Sequence, residues 1–184
     1  MVTTELKNIF LSASIPFKER HPKYFDTADV IAIRDSIIAL ASVVLPRYRI
    51  IWGGHPSITP IIYYVMEKLN INIQEHVILY QSKYFINLFP EDNNKFKNVV
   101  LTDNLNELAE SINHMRLQMF RDNKFEAAIF IGGMKGIEDE FIMFKEFHPK
   151  AVVLPIASTG AASRLVYDKL ATELKDDRLI NDYG

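Results

Sequence analysis

Residues 127–136 read Ala-Ala-Ile-Phe-Ile-Gly-Gly-Met-Lys-Gly, and the next eleven, Ile137 to Phe147, return apolar side chains at helical spacing. A short run rich in β-forming residues, a glycine turn and an amphipathic helix in succession form one half of a βαβ unit. The same grammar recurs along the chain. Strand-like runs fall at Asn8 to Ile15, Arg49 to Trp52, Val77 to Tyr80, Val99 to Leu101, Ala127 to Ile131 and Ala151 to Ile156. Helical spacing falls between them at Asp29 to Val44, Ser57 to Leu69, Leu105 to Arg121, Gly136 to Phe147 and Ala161 to Leu174. The strand runs are almost continuously Val, Ile, Leu and Phe, so both of their faces are expected to be buried. That requirement is met by a parallel sheet covered by helices on each side. The predicted architecture is therefore α/β, a Rossmann-like three-layer sandwich with a mostly parallel sheet.

With 184 residues, 48% hydrophobic and 24% charged, the chain fits one globular domain spanning 1–184, and no internal repeat or linker divides it. It contains no cysteine, which excludes thiol catalysis and thiolate metal sites and suits a reducing compartment. No apolar run approaches the roughly 20 uncharged residues of a membrane span, and Met1 to Phe10 lacks the basic region and cleavage site of a signal peptide. A cytoplasmic location is expected. A formal net charge of -2 with dispersed Lys and Arg gives no footprint for a nucleic-acid backbone. The abrupt end, Ile180 to Gly184 after a charged stretch, suggests a trimmed, longer parent.

Ligands of open parallel sheets bind beyond the carboxyl ends of the strands, where helix N-termini offer unpaired amides to anions. Five of the chain's seven glycines follow the second and fifth strand runs, in Gly53-Gly54-His55-Pro56-Ser57 and Gly132-Gly133-Met134-Lys135-Gly136. A sixth, Gly160, follows the sixth run in Ala157-Ser158-Thr159-Gly160. Glycine there permits positive φ and close approach of a phosphate, while Ser57, Ser158 and Thr159 either cap helices or donate to phosphate oxygens. Equally, each turn taken singly is an ordinary strand-to-helix connection. The first run ends in Ser12-Ala13-Ser14 and is followed by Lys18, Arg20 and His21, a setting for phosphate or ribose recognition in which Arg20 is suited to a bidentate clamp. It reads also as a solvated basic loop.

No Walker loop and no G-x-G-x-x-G after the first strand is present, which disfavours ATP hydrolysis and nicotinamide redox chemistry. The five histidines lack ligand spacing, so no metal and no cofactor is expected. His55 either contacts a ligand or caps the backbone. Met115, Met119 and Met143 read as core. Residues 83–97 read as a long connection that covers the pocket or, alternatively, buries Phe85, Leu88 and Phe89 in a side cluster.

Six segments in order resemble the SLOG superfamily, the Rossmannoid domains related to the LOG and DprA proteins and found in bacterial conflict systems beside TIR, sirtuin or membrane effectors. They are Leu11 to Ser14 with Pro16, Ala32 to Asp35, Gly53 to Pro56 with Ile58 to Pro60, Tyr80-Gln81-Ser82, Phe130 to Met134 with Gly136 to Phe144, and Leu154 to Gly160. The resemblance implies a sensor of a nucleotide-derived signal, such as ADP-ribose or a cyclic isomer, in antiviral defence. Its implied partners are a second copy of the chain and an effector such as a TIR or membrane protein, with neither nucleic acid nor membrane bound directly. The ligand-binding residues so expected are Ser12, Ser14, Arg20, Gly53, Gly54, His55, Gln81, Ser82, Gly132, Gly133, Met134, Glu138, Ser158, Thr159 and Gly160. LOG enzymes, which hydrolyse nucleoside monophosphates at the glycosidic bond, carry P-G-G-x-G-T-x-x-E and a separate arginine. Here Ile131 replaces the proline, Met134-Lys135 holds one extra residue, Ile137 replaces the threonine, and Glu140 keeps the position of the glutamate. No motif supplies the arginine. Binding is expected over catalysis, with Glu140 the catalytic group of the alternative reading.

Overall fold

Alternation along the strands sends side chains into two separate cores. The computed structural model describes residues 6–20, 22–69 and 74–174. Its strands are β1 (Asn8–Ser14), β2 (Arg49–Trp52), β3 (Val77–Ser82), β4 (Val99–Thr102), β5 (Phe125–Gly132) and β6 (Val152–Ile156). Its helices are α1 (Pro22–Phe25), α2 (Val30–Val44), α3 (Thr59–Leu69), α4 (Leu108–Asp122), α5 (Lys135–Phe147) and α6 (Ala161–Leu174). Ile9, Leu11, Ile50, Trp52, Val77, Leu79, Ile129 and Ile131 pack with Ile33 and Ile37 of α2 and Ile62 and Val65 of α3. The residues between them, Phe10, Ile51, Tyr80, Ala128 and Phe130, pack with Met119 and Phe120 of α4, Phe141 and Phe144 of α5, and Val166 of α6. Burial of each such side chain stabilises the fold by about 1.5–3 kcal/mol. Phe10 anchors the second core, stacked on Phe144 at 5.6 Å and edge-on to Phe120 at 4.9 Å.

The six strands form one sheet in the order β4-β3-β2-β1-β5-β6, and every neighbouring pair is parallel. This is the Rossmann-like sandwich that the apolar strand runs predict. Each expected strand and helix is found, the largest shift being at α4, expected from Leu105 and starting at Leu108. The connection 83–97 is more ordered than its lack of period suggests. It forms two 3-10 helices, Lys83–Leu88 and Glu91–Lys95, and stands where a crossover helix would, with Phe96 5.4 Å from Trp52.

From β1 the chain steps outward through β2 and β3 to β4, then crosses back to β5 and β6 on the other side of β1. The segments leaving β1 and β5 therefore run to opposite faces, α2 to one and α5 to the other. A crevice opens between them at the carboxyl edge. The three glycine turns after β2, β5 and β6 all lie on that edge, because the sheet is parallel throughout. Among the described residues no helix is long and apolar enough to cross a membrane.

Candidate functional site

At the crevice β1 and β5 end side by side, with Ser14 opposite Gly132. Gly132 and Gly133 have φ of 59° and 77°, and the Gly133 amide donates to the Ser14 carbonyl at 2.8 Å. A Cβ on Gly132 would lie 2.5 Å from Ile33 Cδ1, and one on Gly133 2.0 Å from Ile137 Cδ1. These glycines let α2 and α5 close on the strand ends. Both are buried, and the space beside them is filled by protein rather than left for a ligand. The open surface begins one residue later. Met134, the N-cap of α5, provides no side-chain cap, and Met134, Lys135, Gly136 and Ile137 form part of the wall of a cavity of about 600 Å³. The first turn of α5 thus presents its partial positive charge to that space.

Glu140, one turn into α5, is the cavity's carboxylate. Its Oε2 accepts from Ser12 Oγ at 2.5 Å and its Oε1 from Arg116 Nε at 2.9 Å. Arg116 also donates to the Gly136 carbonyl at 3.1 Å. The Arg116 and Glu140 side chains are only 14% and 15% exposed, so the pair sits in a medium where its attraction is weakly screened. Arg116 is an arginine at Glu140 that no motif reveals.

On the β2 and β3 side the wall is built from Gly53, Gly54, His55, Gln81 and Ser82. Burial, aided by the charge of Arg20, pushes the His55 imidazole down to about 4. His55 is therefore neutral at physiological pH. Its Nδ1 accepts from the Ser57 amide at 3.2 Å, which leaves the proton on Nε2. His55 caps the local backbone, one of the two roles its sequence position leaves open, and also lines the cavity. Arg20 and Phe17 stand at the cavity wall, and Phe85, Leu88, Phe89 and Pro90 of the 83–97 segment complete it. Of the two readings open for that segment, the structure has it line the cavity, and none of Phe85, Leu88 and Phe89 joins either core cluster.

Of the residues expected at the ligand, Ser12, Ser14, Arg20, Gly53, Gly54, His55, Gln81, Ser82 and Met134 converge on this cavity, together with Glu140. The rest have other duties. Gly132 and Gly133 are spent on helix packing, as above. Glu138 points away and accepts from the Tyr24 hydroxyl, whose ionisation burial and that carboxylate push up to about 12. The third turn is turned toward α1 and α2. Thr159 is fully buried, bonded to the Gly132 amide, the Ile156 carbonyl and Ser163, while its carbonyl accepts from the Asp29 amide. A Cβ on Gly160 would meet the Thr27 carbonyl at 1.8 Å, and Ser158 is exposed outside the cavity wall. His21 and Ile180 to Gly184 lie outside the described residues. Among those described, no group of three or more His, Asp or Glu is placed to hold a metal ion.

An all-parallel sheet with a cavity at its switch point, walled by a helix N-terminus and basic side chains, defines a Rossmann-like α/β domain of the nucleotide-related class. The chain belongs to the SLOG cluster3 family, whose model matches residues 23–183. The match begins after β1, so Ser12 and Ser14 enter the site from a strand ahead of it. No curated protein matches the chain.

Proposed function

We propose that this domain binds a nucleotide-derived anion, such as ADP-ribose, a cyclic isomer of it or a mononucleotide, and acts as a sensor rather than a hydrolase. The observation that carries the reading is the make-up of the cavity wall. Arg20, Arg116 and Lys135 stand in the wall at an uncapped helix start, Arg116 paired with Glu140 and Lys135 with Asp139, and Phe17, Phe85, Leu88 and Phe89 provide apolar surface for a base. The volume falls within the ordinary range of small-molecule sites, roughly 300–1,000 Å³. Arg20 has no carboxylate partner among the described residues, so its charge is available to a phosphate.

Among the described residues Glu140 is the wall's one carboxylate, and both of its oxygens are occupied by Ser12 and Arg116. The second reading, a LOG-type nucleoside monophosphate phosphoribohydrolase, is favoured by the Arg116–Glu140 pair itself. As a sensor the domain would report occupancy to a second copy of the chain or to an effector such as a TIR or membrane protein. Ile31 and Val43, 64% and 68% exposed on α2, offer apolar surface for such association. Antiviral defence in the cytoplasm is the setting the SLOG family and the cysteine-free composition support.

Calorimetric titration with ADP-ribose, its cyclic isomers and mononucleotides tests the reading. Saturable binding that weakens about tenfold or more in Arg20→Ala is expected, the loss of one charge-assisted contact. No heat at millimolar ligand would overturn it.

A further inference from the structure

We propose that Gln81 reads the base of the bound nucleotide and selects adenine. The inference rests on the nucleotide-binding reading above and deepens it. Gln81 is the penultimate residue of β3 and is only 6% exposed, and among the described residues its carboxamide makes no hydrogen bond. It belongs to the cavity wall, where its donor and acceptor are open to a ligand. It is also deliberately seated. Gly54 has φ +63°, and a Cβ there would fall 1.8 Å from Gln81 Nε2 and 2.7 Å from its Cδ. The glycine turn after β2 therefore makes room for this side chain, and the room is kept for an amide whose donor and acceptor the protein leaves unused.

The layout of the sheet sets the ligand's direction. The cavity runs along the strand ends from β3 through β2 and β1 to the start of α5 beside β5. Three strand spacings make that about 14 Å, a length on the scale of an extended nucleoside phosphate. The α5 end holds the uncapped turn, whose amides and partial positive charge suit an anion, so the phosphate belongs there. The β3 end is followed directly by Phe85, Leu88 and Phe89, a wall suited to a flat ring. A carboxamide facing such a ring satisfies one donor and one acceptor side by side, the pairing that adenine offers through its exocyclic amine and a ring nitrogen. Guanine and uracil carry further carbonyl and N–H groups, which this apolar wall would leave unpaired.

The test compares AMP, GMP, UMP and base-free ribose 5-phosphate by calorimetry on wild-type protein, Gln81→Leu and Gln81→Glu. Wild type is expected to prefer AMP to GMP and to ribose 5-phosphate by about tenfold or more. Both variants should lose that preference; Gln81→Leu should bind ribose 5-phosphate as wild type does, which shows that the fold and the phosphate end are intact, whereas the new carboxylate of Gln81→Glu should weaken every anionic ligand. Retention of the AMP preference in Gln81→Leu overturns the assignment, as does an equal loss for AMP and ribose 5-phosphate, the mark of a merely structural role. Tight binding of all four ligands without base preference in wild type overturns the role of Gln81 and leaves the nucleotide site standing. Absence of binding by any of them overturns both.

Discussion

Arg116 Nε lies 2.9 Å from Glu140 Oε1 and so ties the middle of α4 to the second turn of α5. Both side chains are mostly buried, and removing one leaves the other as a poorly solvated, uncompensated charge. Arg116→Ala is expected to destabilise the fold by about 2 kcal/mol or more. Thermal unfolding would show this as a fall in Tm of roughly 4–8 °C for a domain of this size. Arg116→Lys keeps the charge without the planar fork and should recover only part of the loss.

The glycines of the two main turns should respond differently to alanine. At Gly132, φ of 59° and a Cβ position 2.5 Å from Ile33 Cδ1 and 2.9 Å from the Ser14 carbonyl combine strain with a backbone clash. Gly132→Ala should cost about 2 kcal/mol or more in urea unfolding. Gly53 has no positive φ, and its nearest neighbour would be the flexible Met115 Cε at 3.0 Å. Gly53→Ala should cost less than about 1 kcal/mol. Equal effects would show that the turns are not distinguished by packing.

Thr159 reads in the sequence as either a helix cap or a phosphate donor, and in the structure its hydroxyl accepts from the Gly132 amide at 2.9 Å. Thr159→Val should therefore lower stability by about 1–3 kcal/mol, the cost of a buried donor left unpaired. Its affinity for nucleotides should match that of wild type. A selective loss of affinity at unchanged stability would restore Thr159 to the ligand site.

The difference between Thr159 and Arg116 shows where sequence reading stops. The strands were legible because runs such as Ile129-Phe130-Ile131 are apolar at every position, which only a doubly covered sheet requires. The glycine turns marked the correct edge. Whether a glycine there faces a ligand or a neighbouring isoleucine depends on which helix closes over it, a tertiary matter that Gly132 and Gly160 settle in favour of packing. Arg116 belongs to no motif, but one signal was available. Ile112, Met115, Arg116 and Met119 share one face of α4, and a guanidinium within an otherwise apolar stripe requires a buried partner. Gln81 and Ser82 were reachable only through the family resemblance, since nothing local separates a strand-end glutamine from a solvated one.

His55 gives a pH signature. Its folded-state value is depressed to about 4 by burial and then by Arg20, below the unfolded value near 6.5. The unfolded chain thus takes up a proton first, and the stability this neutral imidazole contributes is present above about pH 6.5 and lost as pH falls through about 4. His148 is lowered by burial as well, so the readout is the difference between wild type and His55→Gln. The variant's stability should fall less steeply between pH 6.5 and 4, as measured by urea midpoints. Parallel slopes would place the His55 ring in solvent.

Binding without turnover is tested most directly by one experiment: titrate the protein with AMP and with ADP-ribose in a calorimeter, hold the saturated samples for hours, and analyse them by chromatography for free base and ribose phosphate. The expected result is saturable binding with the ligand recovered intact, and a change in affinity alone in Glu140→Gln. Release of free base that Glu140→Gln reduces by orders of magnitude while binding survives would contradict the sensor and establish the hydrolase.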